Sequence, residues 1–352
     1  MATEPLPEAA SAAHLTAALR RAVVLGDDGQ VAAVAVEKAW PTVLSRIIRL
    51  RLEYEGAAPG APASLILKTV HPERGGNSWG RHEVAFYERV AAAMAVQLVP
   101  RCYDAHWNED TKAWHLLLED LTDSHMIVAP WPLPPTAEQC RSILSAWARF
   151  HAAWWDDPRL GVSIGTWADD DAIAMHQRRF AERFAVFSDR LGDRLPRRWR
   201  ELFERLIEAA PRLSERYKSR RHMTIVHGDA HVWNCFLPRD GGDDVRLFDW
   251  DGWRVDTASD DLAYMMAMHW YPDYRRQMER SFLDHYHAAL VAHGVRGYDR
   301  AALGEDYRLS ALWQVNFPVW QEANGIPAGI WWNNLGRAMQ AVDDLGCRDL
   351  PG

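Results

Sequence analysis

Apolar residues change their spacing along this chain, and the changes divide it into elements. Residues 8–25 are alanine-rich at helical spacing and stop at Gly26, which predicts a first helix. Alternating or β-branched stretches follow at Val31 to Val36, Leu44 to Tyr54 and Ser64 to Val70, separated by turn-forming residues such as Glu55-Gly56-Ala57-Ala58-Pro59-Gly60. Three antiparallel strands are the economical reading. Residues 71–80 form a polar, glycine-rich loop, and Arg81 to Met94 returns to helical spacing. Two further strands are expected around Ala105-His106-Trp107 and over Trp114 to Leu118, joined by the turn Asn108-Glu109-Asp110. After Glu119-Asp120-Leu121 the composition shifts. From Thr136 onward the pattern is mostly helical, broken by one strand-rich passage from His222 to Trp253, and no internal repeat appears.

A chain of 352 residues fits two packed lobes, and the shift in pattern places the expected boundary between residues 1–120 and 121–352. Hydrophobic residues make up 48% and charged residues 25%, enough apolar surface for a real core. The formal net charge of -8 argues against a nucleic-acid partner, because such proteins need a basic face; the run Arg194 to Arg200 reads as a solvated helix start. Cys102, Cys140, Cys235 and Cys347 are far apart and suggest reduced thiols. Met1-Ala2-Thr3-Glu4-Pro5 does not resemble a secretory signal and no run of 18 apolar residues occurs, so a cytoplasmic location without a membrane partner is expected. Eighteen tryptophans are present, several of them late (Trp313, Trp320, Trp331, Trp332), and they can serve as core packing or line an aromatic pocket.

The strand-rich passage carries the chemistry. It reads Ile225-Val226-His227-Gly228-Asp229-Ala230-His231-Val232-Trp233-Asn234, then a turn at Asp240-Gly241-Gly242, then Val245-Arg246-Leu247-Phe248-Asp249-Trp250-Asp251. Two apolar strand-like pieces thus deliver acidic and amide oxygens to their ends. Phosphoryl transfer needs a hard divalent cation on the phosphates, and magnesium takes oxygen ligands from one or two protein groups plus water. Asn234 and Asp249 can supply those oxygens, with Asp251 as the alternative to Asp249. Asp229 can accept the proton of an attacking hydroxyl.

His227-Gly228-Asp229 followed by Asn234, then Leu247-Phe248-Asp249-Trp250, then Asp260-Asp261-Leu262-Ala263, resembles the aminoglycoside phosphotransferases and their protein-kinase-like relatives, including choline and ecdysteroid kinase-like proteins. The resemblance implies an α+β, bilobal protein-kinase-like fold, with a small N-lobe of antiparallel sheet plus helix and a larger, mainly helical C-lobe. It implies ATP or GTP as co-substrate and Mg2+ as the cation. Lys68 looks like the strand lysine that meets the nucleotide phosphates, and Glu83 like its ion-pair partner. Leu117-Leu118-Glu119-Asp120-Leu121 looks like the hinge whose backbone meets the base, which puts Glu119 and Leu121 at the nucleotide. His231 is a candidate to touch the transferring phosphoryl group, with a structural role as the alternative. His227 reads as a scaffold residue and Asp261 as a brace of the catalytic loop. The chain departs from the family in the turn after its first strand, Glu37-Lys38-Ala39-Trp40-Pro41-Thr42-Val43-Leu44-Ser45, which has no glycine. Phosphate cover there has to come from Thr42, from Ser45 or from a differently shaped loop.

In this fold type the helical lobe builds the acceptor pocket. Candidate lining residues are Trp155, Asn316, Trp320 and Gln321. Aromatic rings mixed with amides suit a polar ring compound such as a sugar, nucleoside or aminocyclitol. Only one carboxylate, Glu322, lies between Asn316 and Asn324, so a polycationic aminoglycoside ranks below another hydroxylated metabolite. A polar metabolite or an antibiotic is the expected acceptor, in metabolism or in antibiotic resistance. The expected activity is a small-molecule O-kinase. One rival is a nucleotide-binding pseudokinase scaffold, disfavoured because Lys68, Glu83, Asp229, Asn234 and Asp249 are all present. Another is a zinc hydrolase using His227, Asp229, His231 and Cys235, disfavoured because Gly228 and its strand-like flanks argue against a helix there.

Overall fold

Ser11 accepts a hydrogen bond from the His14 amide and so starts helix α1, Ala12–Arg21. The computed structural model describes residues 6–71, 73, 75 and 78–350. The N-terminal pentapeptide and residues 72, 74, 76 and 77 of the expected glycine-rich loop lie outside the described residues. After α1 come strands β1 (Gln30–Pro41), β2 (Ser45–Glu55) and β3 (Ser64–Val70), helix α2 (Ser78–Ala85), and strands β4 (Cys102–Trp107), β5 (Trp114–Glu119) and β6 (His125–Ile127). Helices α3 (Ala137–Ala153), α4 (Asp170–Leu191) and α5 (Arg197–Lys218) follow, then strands β7 (Thr224–Val226), β8 (Cys235–Pro238), β9 (Arg246–Leu247) and β10 (Arg254–Asp256). Helices α6 (Ser259–Ala263), α7 (Pro272–Ala292), α8 (Arg300–Trp313), α9 (Asn316–Ala323) and α10 (Ala328–Asp344) complete the chain.

By contact the chain divides into two units, one running to Ile127 and including Cys235–Trp253, the other holding Val128–Asn234 and the residues from Arg254 on. This differs from the expected boundary after residue 120. Strand β6 pairs with β8, His125 opposite Pro238 and Ile127 opposite Phe236, which carries the first unit past Leu121 and draws β8 and β9 into it.

The first unit is built on a five-stranded sheet of order β1-β2-β3-β5-β4, every neighbour antiparallel. Ile48, Leu50 and Leu52 alternate along β2, Leu65 and Leu67 along β3, and this face packs on Leu15, Ala18 and Leu19 of α1. Each such side chain contributes about 2 kcal/mol of hydrophobic stabilisation. Strand β1 runs beyond the expected Val36 to Pro41, with register shifts at Val31/Ala33 and Val36/Lys38. Cross-strand charges hold the extension: Glu37 bonds Arg49 at 2.8 Å and Arg51 at 3.1 Å. The expected helix Arg81 to Met94 is not continuous; α2 begins at Ser78 and gives way to a wider turn at Phe86–Val90 and a tight one at Ala91–Ala93.

The second unit is mainly helical. A capping box of Thr136 and Gln139 opens α3 at the expected residue. Leu202, Phe203, Leu206, Ala209 and Leu213 of α5 pack with Phe184 and Phe187 of α4 and Leu335, Met339 and Val342 of α10. The basic run sits at the start of α5, where Arg197 pairs with Glu201 at 2.7 Å, as a solvated helix start should. Among the described residues no helix is long and apolar enough to cross a membrane, and all four cysteines are free thiols.

Candidate active site

In β3 the residues alternate, so Lys68 falls on the opposite face from Leu65 and Leu67, away from the α1 core. Its ammonium donates to Glu83 Oε1 at 2.8 Å and to Asp249 Oδ1 at 2.5 Å. The side chain of Glu83 is 2% exposed. Burial is the largest single influence on Lys68 and pulls its pKa down, but Asp249 and Glu83 together outweigh it and the net shift is upward, so the ammonium stays charged. For Glu83 burial dominates and raises the pKa against the pull of Lys68. Asp249 holds a left-handed backbone, φ 69°, a strain of about 1 kcal/mol for a residue with a Cβ. The next residue fixes it in place: the Trp250 ring stacks on Phe86 with centroids 4.0 Å apart, and its Nε1 donates to the Leu247 carbonyl at 3.1 Å.

In the second unit, β7 pairs antiparallel with β10 and ends at Val226, where the chain turns into the motif loop. Gly228 takes φ 78°, a conformation that favours glycine. Asp261, 1% exposed on α6, accepts the amides of His227 at 2.8 Å and Gly228 at 3.0 Å, and bonds His151 Nε2 at 3.1 Å. Burial alone would raise the Asp261 pKa, but His151 and the amides outweigh it and hold the carboxyl below its usual range. His227 Nδ1 accepts the Asp229 amide at 3.2 Å. Asn234 Nδ2 donates to the Asp229 carbonyl at 2.9 Å and to Oδ2 at 3.0 Å, which turns the amide oxygen of Asn234 toward other partners. Tyr264 donates its hydroxyl to Asp229 Oδ1 in a short bond. His231 Nε2 is 3.6 Å from Asp229 Oδ2. Behind it lies His269, whose Nδ1 bonds the Tyr264 carbonyl at 2.8 Å and whose ring meets His231 edge-on. Burial, and then His231, push the His269 pKa down to about 3, so this imidazole is neutral.

Beside that loop is a cavity of about 510 Å³, bordered by Gly228 and Tyr264 and walled by Trp167, Phe180, Phe317 and Trp320. Of the four expected lining residues, Asn316 and Trp320 border it. Trp155 and Gln321 do not. Trp155 packs on Tyr298 at 4.9 Å, and Gln321 accepts from Asn334 of α10 at 3.2 Å. Helix geometry explains the split, since positions 316 and 320 share a face of α9 and position 321 is turned about 100° away.

Other expected nucleotide contacts are engaged within the first unit. The Thr42 amide donates to the Ser45 carbonyl at 2.8 Å, the Ser45 amide to Thr42 Oγ1 at 3.0 Å, and the two hydroxyls lie 2.9 Å apart, so the glycine-free turn closes on itself. Glu119 accepts from the Arg101 amide at 3.1 Å and from Arg246 at 3.0 Å, while the Leu121 carbonyl accepts the His125 amide at 2.9 Å. Sequence reasoning missed Tyr264 and His269. A signal for Tyr264 was present, because it follows Asp261 by three residues in a stretch that stays helical beyond the end of α6.

The ecdysteroid kinase-like family matches residues 42–155 and 168–295. No curated protein sequence matches the chain. Several solved structures share its fold. A choline/ethanolamine kinase family protein from Mesorhizobium loti aligns with a TM-score of 0.54 at 11% identity, covering 89% of this chain and 91% of that one. Choline kinase LicA from Streptococcus pneumoniae aligns with a TM-score of 0.51 at 14% identity, covering 89% and 94%. The GDP complex of wild-type aminoglycoside 2'-phosphotransferase-IIIa aligns with a TM-score of 0.50 at 9% identity, covering 96% and 99%. The fold is therefore protein-kinase-like, with an antiparallel sheet in the first unit and helices in the second.

Proposed function

Because the chain belongs to the ecdysteroid kinase-like family, we propose that it is a small-molecule O-kinase, transferring the γ-phosphoryl group of ATP or GTP to a hydroxyl. The observation that carries this reading is Asp229, gripped by Asn234 and Tyr264 on a loop clasped by Asp261, next to Gly228 and Tyr264, which border a cavity sized for a small molecule. Asp229 accepts the proton of the acceptor hydroxyl as its oxygen forms the new bond to phosphorus, and the bridging oxygen leaves with the nucleoside diphosphate. Lys68, fixed by Glu83, offers a positive charge to the phosphates without having to reorganise. His231, beside Asp229, is the further candidate for contact with the transferring group.

The amide oxygen of Asn234 and the carboxylate of Asp249 are hard donors of the kind magnesium takes, so the residues fit that ion. When bound, magnesium supplies neutralisation of the phosphate charge. The GDP bound to one structural neighbour supports a nucleotide co-substrate, and the choline kinases support a small alcohol as acceptor. The self-closed Thr42–Ser45 turn favours a second reading, a scaffold that binds nucleotide without transfer.

One experiment separates the two. Asp229→Asn and the unaltered protein are incubated with ATP or GTP, magnesium and a library of hydroxylated compounds, and nucleotide consumption is measured. The unaltered protein should turn over at least one compound, and Asp229→Asn should lower that rate by roughly a thousandfold while still binding nucleotide. Equal turnover by both proteins removes Asp229 from its role. Nucleotide binding without turnover across the library supports the scaffold.

A further inference from the structure

We propose that the acceptor is a flat, largely apolar ring compound whose charge, where it has one, is negative. Which of its groups reacts rests on the kinase reading above; what binds rests on the cavity alone.

The cavity wall carries two carboxylates, Asp256 and Asp260, and both are committed to Arg254. Arg254 Nε donates to Asp256 at 3.0 Å, and its Nη2 makes a short bond to Asp260. The remaining oxygens are also engaged: Asp256 Oδ1 accepts the Thr257 amide at 2.7 Å, and Asp260 Oδ1 accepts Gln314 Nε2 at 3.2 Å. Burial pushes the Asp260 carboxyl up to about 7, which weakens further any hold on a cation. An ammonium entering here finds no carboxylate to spare, and polycation binding needs several.

The uncommitted charge has the opposite sign. Arg183 and Arg220 border the cavity, are exposed, and among the described residues have no carboxylate within ion-pair distance. The Arg220 guanidinium lies 5.5 Å from the centroid of the Trp167 ring, which holds it at the rim. Two arginines are donors for a carboxylate, sulfate or phosphate group.

Shape comes from the aromatic wall. The Phe317 and Trp320 rings stack at 28° with centroids 5.2 Å apart, and Tyr264 meets Phe317 edge-on at 5.2 Å, giving flat faces for a flat ligand. Two lining residues also hold buried polar atoms without a hydrogen-bond partner, the donor Trp313 Nε1 and the acceptor Asn316 Oδ1. A ligand hydroxyl can satisfy either, and such atoms are costly to leave unpaired. With Arg254, Asp256 and Asp260 bonded to one another, Gln177 to Ser214 and Gln314 to Asp260, the polar groups left for a ligand are few among the aromatic walls, which describes a site for a mostly apolar molecule.

The test uses 6-(hydroxymethyl)-2-naphthoate, its neutral amide, and the corresponding aminomethyl alcohol. Binding to the full chain is measured by calorimetry, and nucleotide consumption is followed separately. The carboxylate should bind roughly tenfold tighter than the amine, with the amide between them. In the double variant Arg183→Gln/Arg220→Gln, that preference should shrink to about twofold while the amide binds as before. An amine that binds as tightly as the carboxylate overturns the proposal, as does failure of all three to bind. The expected order of binding without nucleotide consumption supports the ligand class and counts against the kinase reading. Phosphorylation of choline or kanamycin in preference to all three overturns the ligand class and leaves the kinase reading standing.

Discussion

Tyr264 occupies one of the two carboxylate oxygens of Asp229, and Asn234 the other. Such a grip positions a base without reacting itself. Tyr264→Phe should therefore lower kcat by about tenfold and leave the nucleotide dissociation constant unchanged, a split that a loss of folding would not produce. Steady-state kinetics beside equilibrium nucleotide binding measure it; equal losses in both would assign Tyr264 to packing. His269 gives a second prediction at this scale. Its pKa is depressed from 6.5 to about 3, so below pH 6.5 the unfolded chain binds a proton that the folded chain refuses. The stability it contributes is complete above pH 6.5 and is lost as pH falls toward 3, by up to about 1.4 kcal/mol per pH unit. His269→Asn, which can still donate to the Tyr264 carbonyl, should flatten that acid limb in urea unfolding. An unchanged limb would place the acid sensitivity elsewhere. Asp229 and Asn234 stand out in the sequence because they lie five residues apart in one motif, and Asp261 through the resemblance of its own short segment. Tyr264 bonds across 35 residues of chain, and its place three residues after Asp261 puts it near the loop without naming Asp229 as its partner.

Lys68 and Glu83 join two elements, β3 and α2, through one buried ion pair. Lys68→Met leaves Glu83 without its ammonium at 2% exposure, with the Trp250 amide still donating, and losing one member of a buried pair costs about 3–5 kcal/mol. Glu83 escapes part of that cost by taking up a proton, a change its raised pKa makes easier. The double variant Lys68→Met/Glu83→Gln should therefore be more stable than Lys68→Met alone, yet bind nucleotide as poorly. Chemical denaturation and nucleotide titration of both proteins check this, and restored nucleotide binding in the double variant would remove Lys68 from the phosphates. At this scale the three first strands were legible from alternation. Two features were not. The wider turn that follows α2 at Phe86 is stacked on Trp250, far away in sequence, and the Thr42–Ser45 turn closes through hydroxyls whose partners local pattern does not fix.

For the whole molecule, the change from strand to helical pattern after Leu121 is readable in the sequence, while the boundary of the two contact units follows from the pairing of β6 with β8, a contact across more than a hundred residues. That pairing places Asp249 in the first unit although its motif neighbours Asp229 and Asn234 belong to the second. Ligand that binds the folded chain should show in its stability, and magnesium should show separately from nucleotide. At a nucleotide concentration one hundred times its dissociation constant the linkage is worth about 2.7 kcal/mol. Asn tolerates the left-handed backbone that residue 249 adopts at φ 69°, so Asp249→Asn removes the charge with little added strain, whereas Asp249→Ala adds roughly 1 kcal/mol of it. Both variants should lose the part of the thermal shift that magnesium adds to nucleotide, and only the alanine variant should also melt lower without ligand. A magnesium-dependent shift that survives in Asp249→Asn would move the metal to other oxygens, with Asp251 the first to examine, because it lies two residues further along the chain.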